Sequence, residues 1–162
     1  MVAVSGVKNS GKTTLIEGLL PLLCAQGLRV AVVKHDGHEF SPDVPGTDTF
    51  RHLSAGACGT AVFSGSKWMA CKRETVDENA LIALFPDADL ILLEGFKHSR
   101  WPKLELVRAG NSEESVCEAS TLLALVSALP LKAAVPVIHP DELTAIAGLL
   151  YRYYLERSGR RA

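Results

Sequence analysis

Eight residues near the start constrain this chain most. Gly6-Val7-Lys8-Asn9-Ser10-Gly11-Lys12-Thr13 fits G-x-x-x-x-G-K-[ST] at every fixed position. The apolar run Val2 to Ser5 precedes it as a strand, and a helical pattern from Thr13 to Gln26 follows. A glycine loop between a strand and a helix places backbone amides and a helix N-terminus around phosphate. In this P-loop, Lys12 is the residue to bridge β- and γ-phosphates, and Thr13 offers a hydroxyl to Mg²⁺. Gly6, Asn9, Ser10, Gly11, Lys12, Thr13 and Thr14 are the expected nucleotide-binding residues. Lys8, third in the loop, is expected to be a surface charge.

The rest of the chain supports an α/β domain. Val30 to Val33 and Leu90 to Leu93 are continuous aliphatic runs, as in strands buried on both faces of a parallel sheet. Leu104 to Val107, Leu122 to Val126 and Val135 to Ile138 read as further strands. Ala57 to Phe63 and Lys67 to Lys72, joined by Ser64-Gly65-Ser66, read as a hairpin. Helices are expected from Thr47 or Asp48 to near Gly56, from Asp77 to Phe85, and from Asp141 to about Glu156. Pro21 is expected to kink the first helix. The expected fold is a three-layer P-loop NTPase fold, with a mainly parallel sheet and an antiparallel hairpin insertion. Residues 1–157 form one domain on this reading, and residues 158–162 a frayed basic tail.

At 162 residues the chain can bury about 70% of its unfolded surface, so it needs no staples. Lys and Arg number 17 against 18 Asp and Glu, so no global basic field calls for nucleic acid or an anionic membrane. No stretch is apolar enough to span a membrane, and no secretory signal is visible, which makes the cytoplasm the expected location. Cys24, Cys58, Cys71 and Cys117 are scattered without a C-x-x-C and are expected to be free core thiols.

Two acids flank the strand Leu90 to Leu93. Ligands in open α/β sheets bind at the carboxyl edge of the strands. Glu94 lies at that edge, and Asp89 about 16 Å away at roughly 3.3 Å per residue. Glu94 is therefore the catalytic and metal-side candidate beside Lys12, and Asp89 serves the strand entry. The second strand delivers Lys34, His35 and Asp36 to the same edge. Thr13, Asp36 and Glu94 would surround one Mg²⁺ with oxygen ligands. Asp36 equally suits a turn before Gly37. His35 and His38 are weak grounds for a transition metal. No N-K-x-D occurs, so the base is not revealed.

Further along, Asp48 and Arg51 suit either the γ-phosphate side, a partner, or a plain helix cap. Lys97, His98, Arg100, Lys103 and Arg108 cluster around Trp101, as a solvated face or an anion site. Tyr151, Tyr153 and Tyr154 suit packing or a dimer seam.

Together the P-loop, Val33-Lys34-His35, Pro45-Gly46-Thr47-Asp48, Glu94-Gly95-Phe96-Lys97 and Pro102 to Arg108 resemble the molybdopterin-guanine dinucleotide biosynthesis protein B family, MobB, over nearly the whole chain. The resemblance implies a dimeric, Mg²⁺-dependent GTP-binding protein with weak GTPase activity. Such a protein assists the molybdenum cofactor guanylyltransferase that joins GMP to molybdopterin. It matches Gly6, Asn9 to Thr14, Glu94 and Gly95 to the nucleotide site. His35, Asp48 and Lys97 match motif positions of looser role, and with Arg51, Gly95, Lys103 and Arg108 they are the candidates for touching substrate or partner. Asp36-Gly37-His38-Glu39 departs from the family pattern. The alternative is an ATP-dependent small-molecule kinase or ligase resembling dethiobiotin synthetase.

Overall fold

The computed structural model describes residues 1–37, 40 and 43–159. It forms two compact units, Met1–His35 with Leu81–Ala162, and Asp36–Ala80.

The first unit is built on six strands: β1 (Val2–Gly6), β2 (Val30–Lys34), β5 (Leu90–Glu94), β6 (Lys103–Leu106), β7 (Leu122–Val126) and β8 (Val137–Ile138). They lie in the order β2-β5-β1-β6-β7-β8, and every neighbouring pair is parallel. The aliphatic runs explain the order. β1, β5 and β6 are buried at every residue and occupy the centre, while β2 and β8, more exposed, form the edges.

Two helices cover one face, α1 (Lys12–Ala25) and α4 (Leu143–Ser158). Leu15, Ile16, Leu19 and Leu23 line α1, and Ile146, Ala147, Leu150 and Tyr154 line α4 at the same spacing. They pack with Val4, Leu92, Leu104, Leu106 and Val126 into the larger core. α1 passes through Pro21 without ending. Tyr154 belongs to this core, and Tyr151 and Tyr153 pack against it, so all three serve packing. The other face carries Ala3, Val33, Ile91 and Leu93, covered by Leu81, Ile82, Phe96 and Trp101. Leu81 and Ile82 end the short α3 (Glu78–Ile82), about half the length expected.

The second unit holds α2 (Asp48–Ser54) and an antiparallel pair, β3 (Gly59–Phe63) and β4 (Trp68–Lys72). Thr47 caps α2 by accepting from the Phe50 amide at 3.4 Å. Asp43 accepts from the Val44 amide and the Thr47 hydroxyl, which ties the turn before the helix. The hairpin is a sheet of its own and not an extension of the parallel one.

Three expectations need correction. The cysteines are free but not core residues: Cys24 and Cys58 are exposed, and Cys71 and Cys117 half-buried. β6 runs one residue earlier than expected, and as an interior strand it is buried at every residue, Lys103 and Glu105 included. α4 runs to Ser158, past its expected end near Glu156, with Gly159 as its C-cap; Arg160 to Ala162 lie outside the described residues. No described helix is long and apolar enough to cross a membrane.

Candidate functional site

β1 ends at Gly6, and the chain must turn tightly there before α1 begins. Gly6 has φ +139°, and a Cβ there would come within 2.6 Å of the Leu106 carbonyl oxygen. Only glycine fits. Asn9 also has a positive φ, 61°. Gly11 stands at the N-cap of α1 with no side-chain cap, so the first-turn amides and the positive end of the helix face the loop. The Ser10 hydroxyl is buried in the loop without a hydrogen-bond partner among the described residues.

Lys12 folds over its own loop, donating to the Val7 carbonyl at 2.7 Å and the Gly6 carbonyl at 3.3 Å. Burial holds its ammonium below the ordinary lysine range. Glu94 works against that shift, while Lys34 and Lys97 add to it, so three lysines and one carboxylate share this electrostatic neighbourhood.

Glu94 closes β5 at the same edge, nearly buried, in register with Val4 on β1 and Lys34 on β2. Its Oε1 accepts from Thr13 Oγ1 at 2.7 Å and lies 3.7 Å from Lys34 Nζ. The next residue, Gly95, has φ +102°, and a Cβ would meet the His35 carbonyl oxygen at 3.2 Å. Its backbone is fixed on both sides: its amide donates to Val4, and its carbonyl accepts from Ser5 Oγ at 2.5 Å. Phe96 follows at φ 49° and packs its ring 5.5 Å from that of His35. His35 is thus a wall of the Glu94-Gly95 turn, with its amide on the Glu94 carbonyl.

A hydroxyl and a carboxylate facing each other are hard oxygen donors, and the uncapped N-terminus of α1 adjoins them. This donor set fits Mg²⁺. Among the described residues no group of three or more His, Cys, Asp or Glu gathers as a metal site. His38 and Glu39 lie outside the described residues. Asp36, Asp48 and Arg51 belong to the second unit, where Arg51 pairs with Asp48 at 3.7 Å, both side chains exposed.

The expected basic cluster divides. Lys97 and Arg108 are exposed. Lys103 is fully buried, and its ammonium donates to the Ser99 and Trp101 carbonyls at 2.5 and 2.8 Å and to Ser99 Oγ at 3.2 Å. It locks the 99–101 turn, and the expectation of a cation facing substrate does not hold for it. The reason is its place in an interior strand buried on both faces.

Three positions were missed from sequence, and a fourth, Lys34, was placed at this edge without a role. Lys34 pairs with Glu94, and Ser5 pins Gly95. Asn111 Nδ2 donates to the Lys8 carbonyl at 2.7 Å, tying the segment after β6 to the P-loop. Glu105, almost fully buried, accepts from the Val116 and Cys117 amides at 2.6 and 3.2 Å and from the Ser115 hydroxyl. Burial and then Glu105 push the Cys117 thiol up to about 11, so it stays protonated at neutral pH. Only the serine-asparagine content of 111–115 hinted at such a strap.

The parallel sheet, the glycine loop over α1 and the carboxylate at the end of the neighbouring strand define a P-loop NTPase-type α/β protein. Within that class the chain belongs to the MobB family. The family's profile, molybdopterin guanine dinucleotide synthesis protein B, matches residues 1–128. The chain is 33% identical over 168 residues to the molybdopterin-guanine dinucleotide biosynthesis adapter protein of Escherichia coli (strain K12), covering 98% of this chain and 95% of that protein. A probable adapter protein of the same name from Bacillus subtilis (strain 168) is 33% identical over 154 residues, covering 90% and 88%. The crystal structure of Bacillus subtilis MobB superposes with a TM-score of 0.75 at 31% identity, covering 93% of this chain and 96% of that one.

Proposed function

We propose that this protein is an adapter in molybdopterin guanine dinucleotide synthesis that binds GTP with Mg²⁺. The observation that carries the nucleotide reading is the 2.7 Å bond from Thr13 to Glu94, which joins the P-loop to the end of the next strand. Bound there, the metal would neutralise phosphate charge. Thr13 and Glu94 would hold it, Lys12 would leave its loop carbonyls for the phosphates, and the α1 amides would cradle them. The adapter names of the relatives support the pathway and favour it over a kinase or ligase. In this reading the chain works in the cytoplasm as a homodimer beside the guanylyltransferase that handles molybdopterin. Lys97 and Arg108 are exposed cations suited to its anionic partner or substrate.

The test is calorimetric titration of GTP and ATP, each with Mg²⁺, into the wild type and Lys12→Ala. GTP is expected to bind more tightly than ATP, and the variant to lose on the order of 100-fold in affinity, as for a pair of charge-assisted hydrogen bonds. Equal GTP binding by Lys12→Ala, or none by the wild type, ends this reading.

A further inference from the structure

Lys34 has a place in the site that neither its sequence neighbours nor the P-loop explain. It ends β2 at the phosphate edge, in register with Glu94. Its ammonium stands 3.7 Å from Glu94 Oε1, the oxygen that also accepts from Thr13. One carboxylate oxygen therefore serves the hydroxyl of the P-loop and the ammonium of the edge strand together. Resting on the nucleotide reading above, we propose that Lys34 lets the site tell a nucleoside triphosphate from a diphosphate, by leaving Glu94 for the terminal phosphate when Mg²⁺ takes up Thr13 and Glu94.

The reasoning is electrostatic. Mg²⁺ sits about 2.0–2.1 Å from its oxygen ligands. Thr13 and Glu94 would hold such an ion, and Lys34, whose ammonium is 3.7 Å from the same oxygen, would then face two further positive charges. The attraction of Lys34 to Glu94 would then be opposed by its repulsion from the ion. The side chain is about half exposed, so it is free to swing. Lys34 and Lys97 both act on Lys12 as like charges, and Glu94 acts on it as the opposite one. A terminal phosphate at the metal edge is the group that restores balance, and an ammonium is a compact donor for it. A diphosphate lacks that group. It keeps its contacts to the loop and Lys12 but offers Lys34 nothing.

Two variants of the full chain separate this role from that of an idle surface ion pair. Lys34→Met keeps length and removes charge, and Lys34→Arg keeps charge. Affinities for GDP and a slowly hydrolysed GTP analogue are measured by calorimetry with Mg²⁺. Mn²⁺ binding to the nucleotide-free protein is measured by electron paramagnetic resonance. Lys34→Met is expected to lose about tenfold for the triphosphate, the size of one charge-assisted hydrogen bond, and to bind GDP as the wild type does. Lys34→Arg should keep most of the triphosphate affinity. Nucleotide-free Mn²⁺ should bind more tightly to Lys34→Met, since Glu94 has lost a competing cation. A parallel loss of both nucleotides, no loss of either, or unchanged Mn²⁺ binding overturns the proposal. If the wild type binds neither nucleotide, the P-loop reading itself has failed and Lys34 falls with it. If the wild type binds both and Lys34→Met keeps its preference, only the role of Lys34 is refuted.

Discussion

Asp89 and Glu94 bracket one strand, and their surroundings are opposite. Asp89 enters β5 and is saturated by structure. It accepts from the Arg29 amide at 2.9 Å and the Tyr154 hydroxyl at 3.3 Å, and pairs with the Arg29 guanidinium at 3.6 Å. These contacts tie the start of β5 to the β2 side and to α4. Glu94 leaves the same strand among groups that can move: a threonine hydroxyl and a half-exposed lysine. Backbone amides hold an acid in one place, because they cannot leave without unfolding the edge. A hydroxyl and an ammonium can be exchanged for a ligand. The comparison teaches that the partners of a carboxylate, more than its burial, separate a structural acid from an acid free to bind.

Exchanging each acid for its amide probes this contrast. Glu94→Gln should have the largest effect. On the proposed reading it weakens Mg²⁺-dependent GTP affinity by more than the roughly 10–100-fold that loss of an outer-shell partner costs, since Glu94 would touch the metal itself. Its urea midpoint should hardly change. Unchanged nucleotide binding with a collapsed midpoint would place Glu94 in the structural class with Asp89.

A third carboxylate sharpens the same test. Glu105 is buried like Glu94 but is held by two amides and a serine hydroxyl, like Asp89. Glu105→Ala strands those donors and should cost on the order of 2–4 kcal/mol in urea unfolding. A cost below about 0.5 kcal/mol, within the range of ordinary surface substitutions, would mean that water replaces the carboxylate there.

The smallest effect belongs to Asp89 and is read through pH. Its hydrogen bond from the Arg29 amide, helped by Tyr154 and the Arg29 charge, holds the carboxyl below the usual range. A depressed folded pKa contributes stability that is present above the unfolded pKa, about 3.9, and lost as pH falls through the folded one. Asp89→Asn should therefore melt below the wild type at neutral pH, and the gap should narrow below about pH 4. A gap independent of pH would show that the charge of Asp89 is not what holds the strand entry.

Much of this was legible from sequence for a physical reason. The P-loop is local: eight consecutive residues carry its glycines, its lysine and its hydroxyl. The aliphatic runs gave away the central strands, and strand direction alone placed Glu94 at the phosphate edge and Asp89 at the far one. The boundaries of β7 were read to the residue, while α3 was read too long, because Leu84 and Phe85 continue as turns bonded to Leu81 and Ile82 without extending the helix.

The remainder is non-local. Thr13 meets Glu94 across 81 residues, Asn111 meets Lys8 across 103, and Arg29 meets Asp89 across 60. No pattern of neighbours encodes such pairs. Lys97 and Lys103 look alike in a basic stretch, yet one is exposed in the turn after β5 and the other is buried on three oxygen atoms, because Lys103 lies in an interior strand of the sheet that is buried at every residue. The sequence by itself determined that a glycine loop with the P-loop motif opens a parallel α/β sheet, because local spacing sets loop and strand. Tertiary structure alone decided which charges are partners, since register and the folding back of distant segments set which side chains share an oxygen.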